Sequence, residues 1–115
     1  MHKKNYKGRC QKKTVSKCRE VAKAYSDIQF VYIDVLEQNE DIQEIRCNVP
    51  LEGAEEECYV TDFVCVRTDG DLMVRECVQR RLLTKPLTVR LLDMSLNYWI
   101  RHGVEDWGIV TDEEK

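Results

Sequence analysis

The chain has 115 residues, of which 43% are hydrophobic and 34% are charged, and its formal net charge is −3. This length suits one domain with a single hydrophobic core. No apolar run approaches the roughly 20 residues of a membrane span, and the basic N-terminus lacks the apolar stretch of a signal peptide. We therefore expect one cytoplasmic domain and no membrane association.

Positive charge is concentrated near the N-terminus. Residues 1–23 carry nine of the eighteen lysines and arginines and one acid, Glu20, whereas residues 34–57 are strongly acidic. The basic segment suits a nucleic-acid backbone, and it equally suits a solvated tail that only aids solubility. We predict a flexible arm over residues 1–13, followed by one domain over residues 14–115. The predicted DNA contacts of the arm are Lys3, Lys4, Lys7, Arg9, Lys12 and Lys13.

The six cysteines predict neither a zinc site nor a disulfide framework. No pair has Cys-x-x-Cys spacing, and the only histidines are His2 and His102. Cys65 and Cys77 lie in apolar strand patterns and are expected to be small buried residues. Because the cytoplasm is reducing, we expect all six to be free thiols.

Two helices are predicted before the first long strand. Apolar residues spaced by three and four predict a helix over Thr14–Tyr25. A second helix is predicted from Ser26 to about Gln38, with Ser26 as N-cap and Gln29 bonding back to the Ser26 backbone as a capping box. The predicted apolar face of this helix contains Ile28, Val31, Tyr32, Val35 and Leu36.

The remaining predicted elements are three strands, a helix and a closing strand. A turn at Thr68–Asp71 makes the second and third strands a hairpin. Pro86 and Gly103 are expected to begin and end the helix. This order predicts an α/β fold with a mixed sheet flanked by helices. The predicted strands are Ile42–Val49, Cys58–Arg67, Leu72–Gln79 and Trp107–Thr111, with a loop at Leu51–Glu57.

Two acidic residues stand in the predicted hairpin. Asp62 lies within Tyr59–Val64, and Glu76 lies within Val74–Val78. Carboxylates on neighbouring strands are hard oxygen ligands that can hold a divalent cation such as Mg²⁺ or Mn²⁺. Glu76 equally suits an ordinary solvent-facing pair with Arg75.

Five segments are similar to a known family in both their order and their spacing. They are Ser26–Gln29, Ile45–Leu51, Thr61–Cys65, Tyr98–Trp99 and Trp107–Glu114. Over about residues 26–114 the chain resembles the catalytic domain of TnsA, the endonuclease subunit of heteromeric transposases, in the PD-(D/E)XK nuclease superfamily. The resemblance implies a restriction-endonuclease-like fold and an endonuclease of a bacterial mobile element that uses Mg²⁺ or Mn²⁺ at transposon ends.

The same resemblance assigns the catalytic positions. The strand aspartate of the family falls on Asp62 and the second acid on Glu76, which would both hold the metal. The first-helix glutamate falls on Gln29, which keeps an oxygen ligand without a charge. The family's lysine falls on Val78, which can neither position a water nor balance the phosphate charge.

Several functions remain open, because two catalytic positions are substituted and cations follow Val78 in the sequence. Arg80 returns to the Glu76 side of the strand, and Arg80 and Arg81 complete the predicted DNA-binding set. The chain is expected to be a metal-dependent DNA endonuclease or, alternatively, a catalytically inactive DNA-binding or assembly subunit of a transposition complex. An interaction protein with a basic arm and no metal site is a third interpretation. The expected partners are DNA and either a transposase subunit or a second copy.

Overall fold

The computed structural model describes residues 10–51 and 59–112. Neither of the helices in this part of the chain is both long and apolar enough to cross a membrane. A single 3-10 turn, Arg80–Leu82, precedes the second helix. The helices are α1 (Asp27–Gln38) and α2 (Pro86–Arg101), and the strands are β1 (Gln11–Lys13), β2 (Ala22–Ala24), β3 (Ile42–Pro50), β4 (Val60–Arg67), β5 (Leu72–Cys77) and β6 (Asp106–Val110).

Four strands form a mixed sheet in the order β3-β4-β5-β6. β3, β4 and β5 are antiparallel neighbours, whereas β6 runs parallel to β5 because α2 carries the chain back across the sheet. In the turn between β4 and β5, Gly70 has a φ of +93°, which glycine adopts without a steric penalty. The predicted hairpin and the predicted closing strand are confirmed.

The two helices cover opposite faces of this sheet. Ile33 of α1 belongs to one core cluster with Phe63, and Leu91 of α2 belongs to a second with Val64. Phe63 and Val64 are consecutive in β4, so the strand sends successive side chains to opposite faces. The chain is therefore a single-domain α/β fold with a mixed sheet flanked by two helices, as predicted at this level.

The predicted helix over Thr14–Tyr25 is wrong. Its last part, Ala22–Ala24, forms β2, which pairs antiparallel with β1 across a turn. Both alanines are buried and Lys23 between them is exposed, which is the period of a strand. The turn is held by tertiary contacts, since the Ile45 amide donates to the Lys17 carbonyl at 3.0 Å.

The predicted flexible arm is wrong for its last residues, because Gln11–Lys13 forms β1. Lys13 Nζ lies 2.9 Å from the Asp34 carboxylate and 3.9 Å from the centre of the Phe30 ring. Its charge is thus engaged within the fold, whereas Lys12 is exposed. Three predicted features lie outside the described residues. They are the other arm residues predicted to contact DNA, the part of the predicted loop that follows Leu51, and Cys58.

Helix α1 has the predicted bounds but a different buried face. Val31 and Val35 are 63% and 51% exposed, whereas Gln29 and Ile33 are fully buried. Only tertiary packing distinguishes these faces, because apolar residues surround most of the helix. The rotation of α1 therefore carries Gln29, a polar residue, into the interior.

The N-cap of α1 forms largely as predicted. Ser26 Oγ accepts from the Gln29 amide at 3.1 Å, and this bond satisfies one of the free amides in the first turn. The Gln29 side chain reaches back one residue further than a capping box, because its Oε1 accepts from the Tyr25 amide at 2.9 Å. Gln29 thus caps the helix and is buried at the same time.

Glu37, near the end of α1, holds the turn between β1 and β2. Its carboxylate accepts from the Ser16 hydroxyl and from the Ser16 and Lys17 amides. The Ser16 hydroxyl bond, followed by these amides and the Lys17 charge, holds the pKa of Glu37 below its ordinary value despite some desolvation. The carboxylate therefore stabilises the fold only in its ionised form.

We expect Glu37→Gln to increase amide exchange at Ser16 and Lys17 about threefold to fivefold at pH 7, as suits a partly exposed contact. Because the folded pKa is depressed, the wild-type advantage is present above the unfolded pKa of about 4.3 and disappears as pH falls through the folded pKa. Amide exchange measured by NMR at pH 7 tests the first expectation. Denaturant unfolding of both proteins, at pH 7 and below the unfolded pKa, tests the loss of the wild-type advantage. Glu40→Gln, which alters an exposed acid beyond the same helix, is the control, and an equal effect of both variants would contradict the assignment.

Candidate functional site

The two predicted acids lie where β4 and β5 cease to pair through their backbones. The last paired positions at this end of the hairpin are Phe63 and Arg75. The next residues on each strand are Asp62 and Glu76, and each bonds to the backbone of the opposite strand. The Asp62 amide donates to Glu76 Oε1 at 3.2 Å, and the Cys77 amide donates to Asp62 Oδ2 at 2.6 Å. The carboxylates therefore continue the ladder with their side chains.

Glu76 is bound from the α2 side as well. Ser95, in the middle of α2, donates its hydroxyl to Glu76 Oε2 at 2.7 Å. The same hydroxyl oxygen accepts from Trp107 Nε1 of β6 at 3.0 Å. Both oxygens of Glu76 thus accept hydrogen bonds, and the side chain has no exposed surface.

Gln29 reaches the same cluster from α1. Its Nε2 donates to the Asp62 carbonyl at 3.3 Å and to Asn48 Oδ1 of β3 at 3.0 Å. Asn48 in turn donates Nδ2 to the Lys23 carbonyl at 2.8 Å. Asn48 has a φ of +58°, a left-handed conformation that asparagine tolerates better than most residues. The orientation of both amides follows from this directional chain.

The predicted catalytic residues therefore meet in one cluster, but that cluster is closed to solvent. Asp62 is 1% exposed, and Gln29 and Glu76 are 0% exposed. An enclosed carboxylate is tolerated only where its oxygens have hydrogen-bond donors. Backbone amides and Ser95 supply these donors, so the arrangement ties α1, β4, β5 and α2 together.

A second polar contact beside the cluster has the same character. Trp99 Nε1 of α2 donates to the buried Thr61 Oγ1 of β4 at 3.1 Å. A buried indole N–H usually requires such an acceptor. Helix α2 is thus joined to β4 and to β5 through polar contacts, in addition to its apolar core.

Val78, to which the resemblance assigns the lysine position, is 5% exposed, and its amide donates to the Val110 carbonyl at 2.9 Å. Arg80 and Arg81 follow on the 3-10 turn, and both are exposed. The Arg80 amide donates to Asp112 Oδ1 at 2.6 Å, which fixes this turn to the segment after β6. The two arginines therefore lie on the surface near the buried acids and do not enter the cluster.

The cluster does not fit a divalent cation as it is arranged. Mg²⁺ and Mn²⁺ require several oxygen ligands that converge on one point, commonly with water. Both Glu76 oxygens and the Gln29 oxygen are directed at hydrogen-bond donors instead. Across the described ranges, no group of three or more His, Cys, Asp or Glu side chains could hold a metal ion.

No protein-family model matches the sequence, and no curated protein is significantly similar to it. Function is therefore inferred from the residues and their geometry.

Neither Ser95, which binds Glu76, nor Asn48, which binds Gln29, was identified from the sequence. Ser95 is a small polar residue on the buried face of α2, among Leu91, Leu92 and Trp99. A polar residue inside an apolar helical stripe is a signal of a buried hydrogen bond. Asn48 carried a weaker signal, namely an asparagine inside a strand, where its type is uncommon.

Proposed function

We propose that this chain is a DNA-associated protein with a restriction-endonuclease-like core, similar to TnsA, in which the former catalytic positions stabilise the fold. It would act as a non-hydrolysing DNA-binding or assembly subunit at the ends of a bacterial mobile element. The observation that carries this proposal is the state of Glu76, which has no exposed surface and has both oxygens bound.

The element order supports the fold assignment. Helix α1, the antiparallel strands β3 to β5, helix α2 and the parallel strand β6 follow the order that the resemblance implies. Asp62, Glu76 and Gln29 also come together, as that fold would require. The retained positions with altered chemistry are what we would expect of a relative that kept the scaffold and lost turnover.

The surface near the cluster supports contact with DNA. The segment 77–92 contains no acid, and its cations are Arg80, Arg81, Lys85 and Arg90. Lys85 immediately precedes α2, whose N-terminus adds partial positive charge at the same place. Exposed cations of this kind bind phosphates and release counterions, which makes affinity depend on salt. A transposase subunit or a second copy would then recruit the protein to its site.

We expect Arg81→Gln to weaken binding to a short labelled duplex and to reduce the slope of log K against log salt by about 1. Fluorescence anisotropy over a range of KCl concentrations measures both quantities. The matched control is Arg101→Gln, which removes one exposed charge from the opposite end of α2. Equal slopes in the two variants would remove Arg81 from the interface, and no DNA binding by the wild type would overturn the proposed function.

A plasmid-nicking assay with Mg²⁺ and Mn²⁺ separates the two alternatives. We expect the wild-type protein and a folded Glu76→Gln variant to show the same background. Nicking that requires Glu76 would favour the metal-dependent endonuclease and contradict the non-hydrolysing assignment.

A further inference from the structure

Two thiols lie side by side in a partly exposed part of the fold, next to the carboxylate cluster but outside it. Cys18 belongs to the turn between β1 and β2, and Cys47 belongs to β3. The Ile45-to-Lys17 backbone bond, together with the Cys18 amide bond to the Val15 carbonyl at 3.2 Å, holds this turn against the sheet. The two side chains are joined by a hydrogen bond. Both are thiols rather than disulfide sulfurs, and both are partly exposed, so small solutes can reach them.

The surroundings of the pair differ from those of a buried core cysteine. Cys18 and Cys47 line one surface cavity of about 630 Å³. The hydrogen bond from Cys47 lowers the pKa of Cys18, and it outweighs the desolvation of the thiol and the nearby Glu37 and Glu44 carboxylates. In contrast, burial raises the pKa of Cys65 to about 12, so that thiol is a poor nucleophile.

We propose that Cys18 and Cys47 are a redox modification site that forms a reversible disulfide by exchange with a small peptide disulfide of the glutathione type. The two thiols are already joined by a hydrogen bond, so side-chain rotation can bring the sulfurs together to form a disulfide. The same cavity is lined by three cations and two acids, and this small excess of positive charge suits the carboxylates of such a peptide. The cations are Arg19, Lys23 and Arg46, and the acids are Glu20 and Glu44. This inference does not depend on the proposed function.

The exchange proceeds in two balanced steps. The Cys18 thiolate attacks one sulfur of the peptide disulfide, the peptide S–S bond breaks, and the first peptide thiolate leaves and takes up the proton that Cys18 lost. Cys47, once deprotonated, then attacks the Cys18 sulfur and expels the second peptide thiolate, which takes up the Cys47 proton. The protein dithiol is oxidised by two electrons, and one peptide disulfide is reduced to two thiols.

The disulfide would join the β1–β2 turn covalently to β3. It would close a loop of the chain, from Cys18 to Cys47, that contains α1. Such a cross-link restricts the unfolded chain, so we expect the oxidised protein to have a Tm several degrees higher than the reduced protein. It would also fix Cys47, the residue next to Asn48. Oxidation would thus make β3 more rigid. Asn48, which accepts a hydrogen bond from Gln29, lies in this edge strand.

Peptide mapping of the whole chain tests the assignment. The protein is equilibrated with oxidised glutathione, remaining thiols are alkylated, and trypsin and Glu-C digestion follows. The sequence then gives residues 18–19 and 47–52 as separate peptides with one cysteine each. We expect these two peptides to be linked, with a mass two hydrogens below their sum, and to separate after reduction.

Two variants complete the test. Cys47→Ser should stop the reaction at a mixed disulfide on Cys18, whereas Cys10→Ser should leave the linked peptides unchanged. Alkylation of both Cys18 and Cys47 after oxidation of the wild type would overturn the proposal. A link from Cys18 to a different cysteine would overturn it as well.

Discussion

We expect Glu76→Ala to destabilise the fold by about 3–5 kcal/mol. The substitution removes the acceptor of the Asp62 amide and of the Ser95 hydroxyl, and each unsatisfied buried donor costs about 1–3 kcal/mol. It also leaves a cavity between β5 and α2, and truncation of a large buried side chain costs a similar amount. The loss should be seen as a lower urea midpoint with an unchanged denaturant slope.

Two further variants show whether this loss is specific to the network. Glu76→Gln keeps the volume and one acceptor, so we expect a loss of about 1–2 kcal/mol. Glu105→Ala, which alters an exposed acid, should change stability by less than about 0.5 kcal/mol. An acid held for catalysis is often costly to the fold, and its removal tends to be neutral or stabilising. An unchanged or higher stability of Glu76→Ala would therefore contradict the structural role.

The parts of the fold that were predicted correctly have strong local signals. The hairpin follows from an Asp-Gly turn between two apolar runs, and Gly70 has the positive φ that such turns need. Helix α2 begins at Pro86, and the chain beyond it turns at Gly103, whose φ is +85°. These residues restrict the backbone by themselves, so no distant contact was needed to place the elements.

The N-terminal segment shows what local signals cannot provide. Val15, Cys18 and Val21 have helical spacing, yet Val21 is 48% exposed and the chain forms a short β-ribbon. The conformation is set by hydrogen bonds with two residues far along the sequence. The Glu37 carboxylate accepts from the Lys17 amide, and the Ile45 amide donates to the Lys17 carbonyl. Strands of three residues carry too little pattern to be recognised, and tertiary contacts override their propensity.

The sequence predicted that Asp62, Glu76 and Gln29 lie close together, but it did not predict that they are buried and hydrogen-bonded within the fold. Asp62, Glu76 and Gln29 do come together, because the pairing of β4 with β5 and the rotation of α1 bring them to one place. Carboxylates that bind a metal and carboxylates that accept backbone amides are the same residue types, so sequence alone does not separate them. Two residues distinguish the structural arrangement from a metal site. Ser95 donates a hydrogen bond to Glu76, and the buried Val78 stands where the resemblance would require a lysine.

The second large effect is expected for Gln29→Glu, which introduces the residue type that the resemblance to the nuclease family implies at this position. Gln29 Nε2 now donates to two acceptors, the Asp62 carbonyl and Asn48 Oδ1. A carboxylate would place its oxygen against these oxygens in a fully buried site. Asn48 cannot relieve the conflict by rotating its amide, because Nδ2 already donates to the Lys23 carbonyl.

This conflict should depend on pH with a defined sign. Burial and the facing acceptors would raise the folded pKa of the introduced glutamate above its unfolded value of about 4.3. Stability is then retained below the unfolded pKa, where the group is protonated in both states, and is lost as pH rises through the folded pKa. We expect Gln29→Glu to be less stable than the wild type by about 2–4 kcal/mol at pH 8, and by much less near pH 4.

Urea denaturation of Gln29→Glu and of the wild type across this pH range measures the difference directly, since the native titrating groups are common to both proteins. Gln29→Met is the matched control, because it loses the same hydrogen bonds and introduces no charge, so its cost should not vary with pH. Repeating the pH 8 measurement with Mn²⁺ extends the test. A cation that binds only the folded state stabilises it by mass action. If Mn²⁺ restored Gln29→Glu selectively, Asp62, Glu76 and the new carboxylate would form a cation site in the variant, and glutamine at position 29 would then be one reason why the wild-type cluster does not fit a cation.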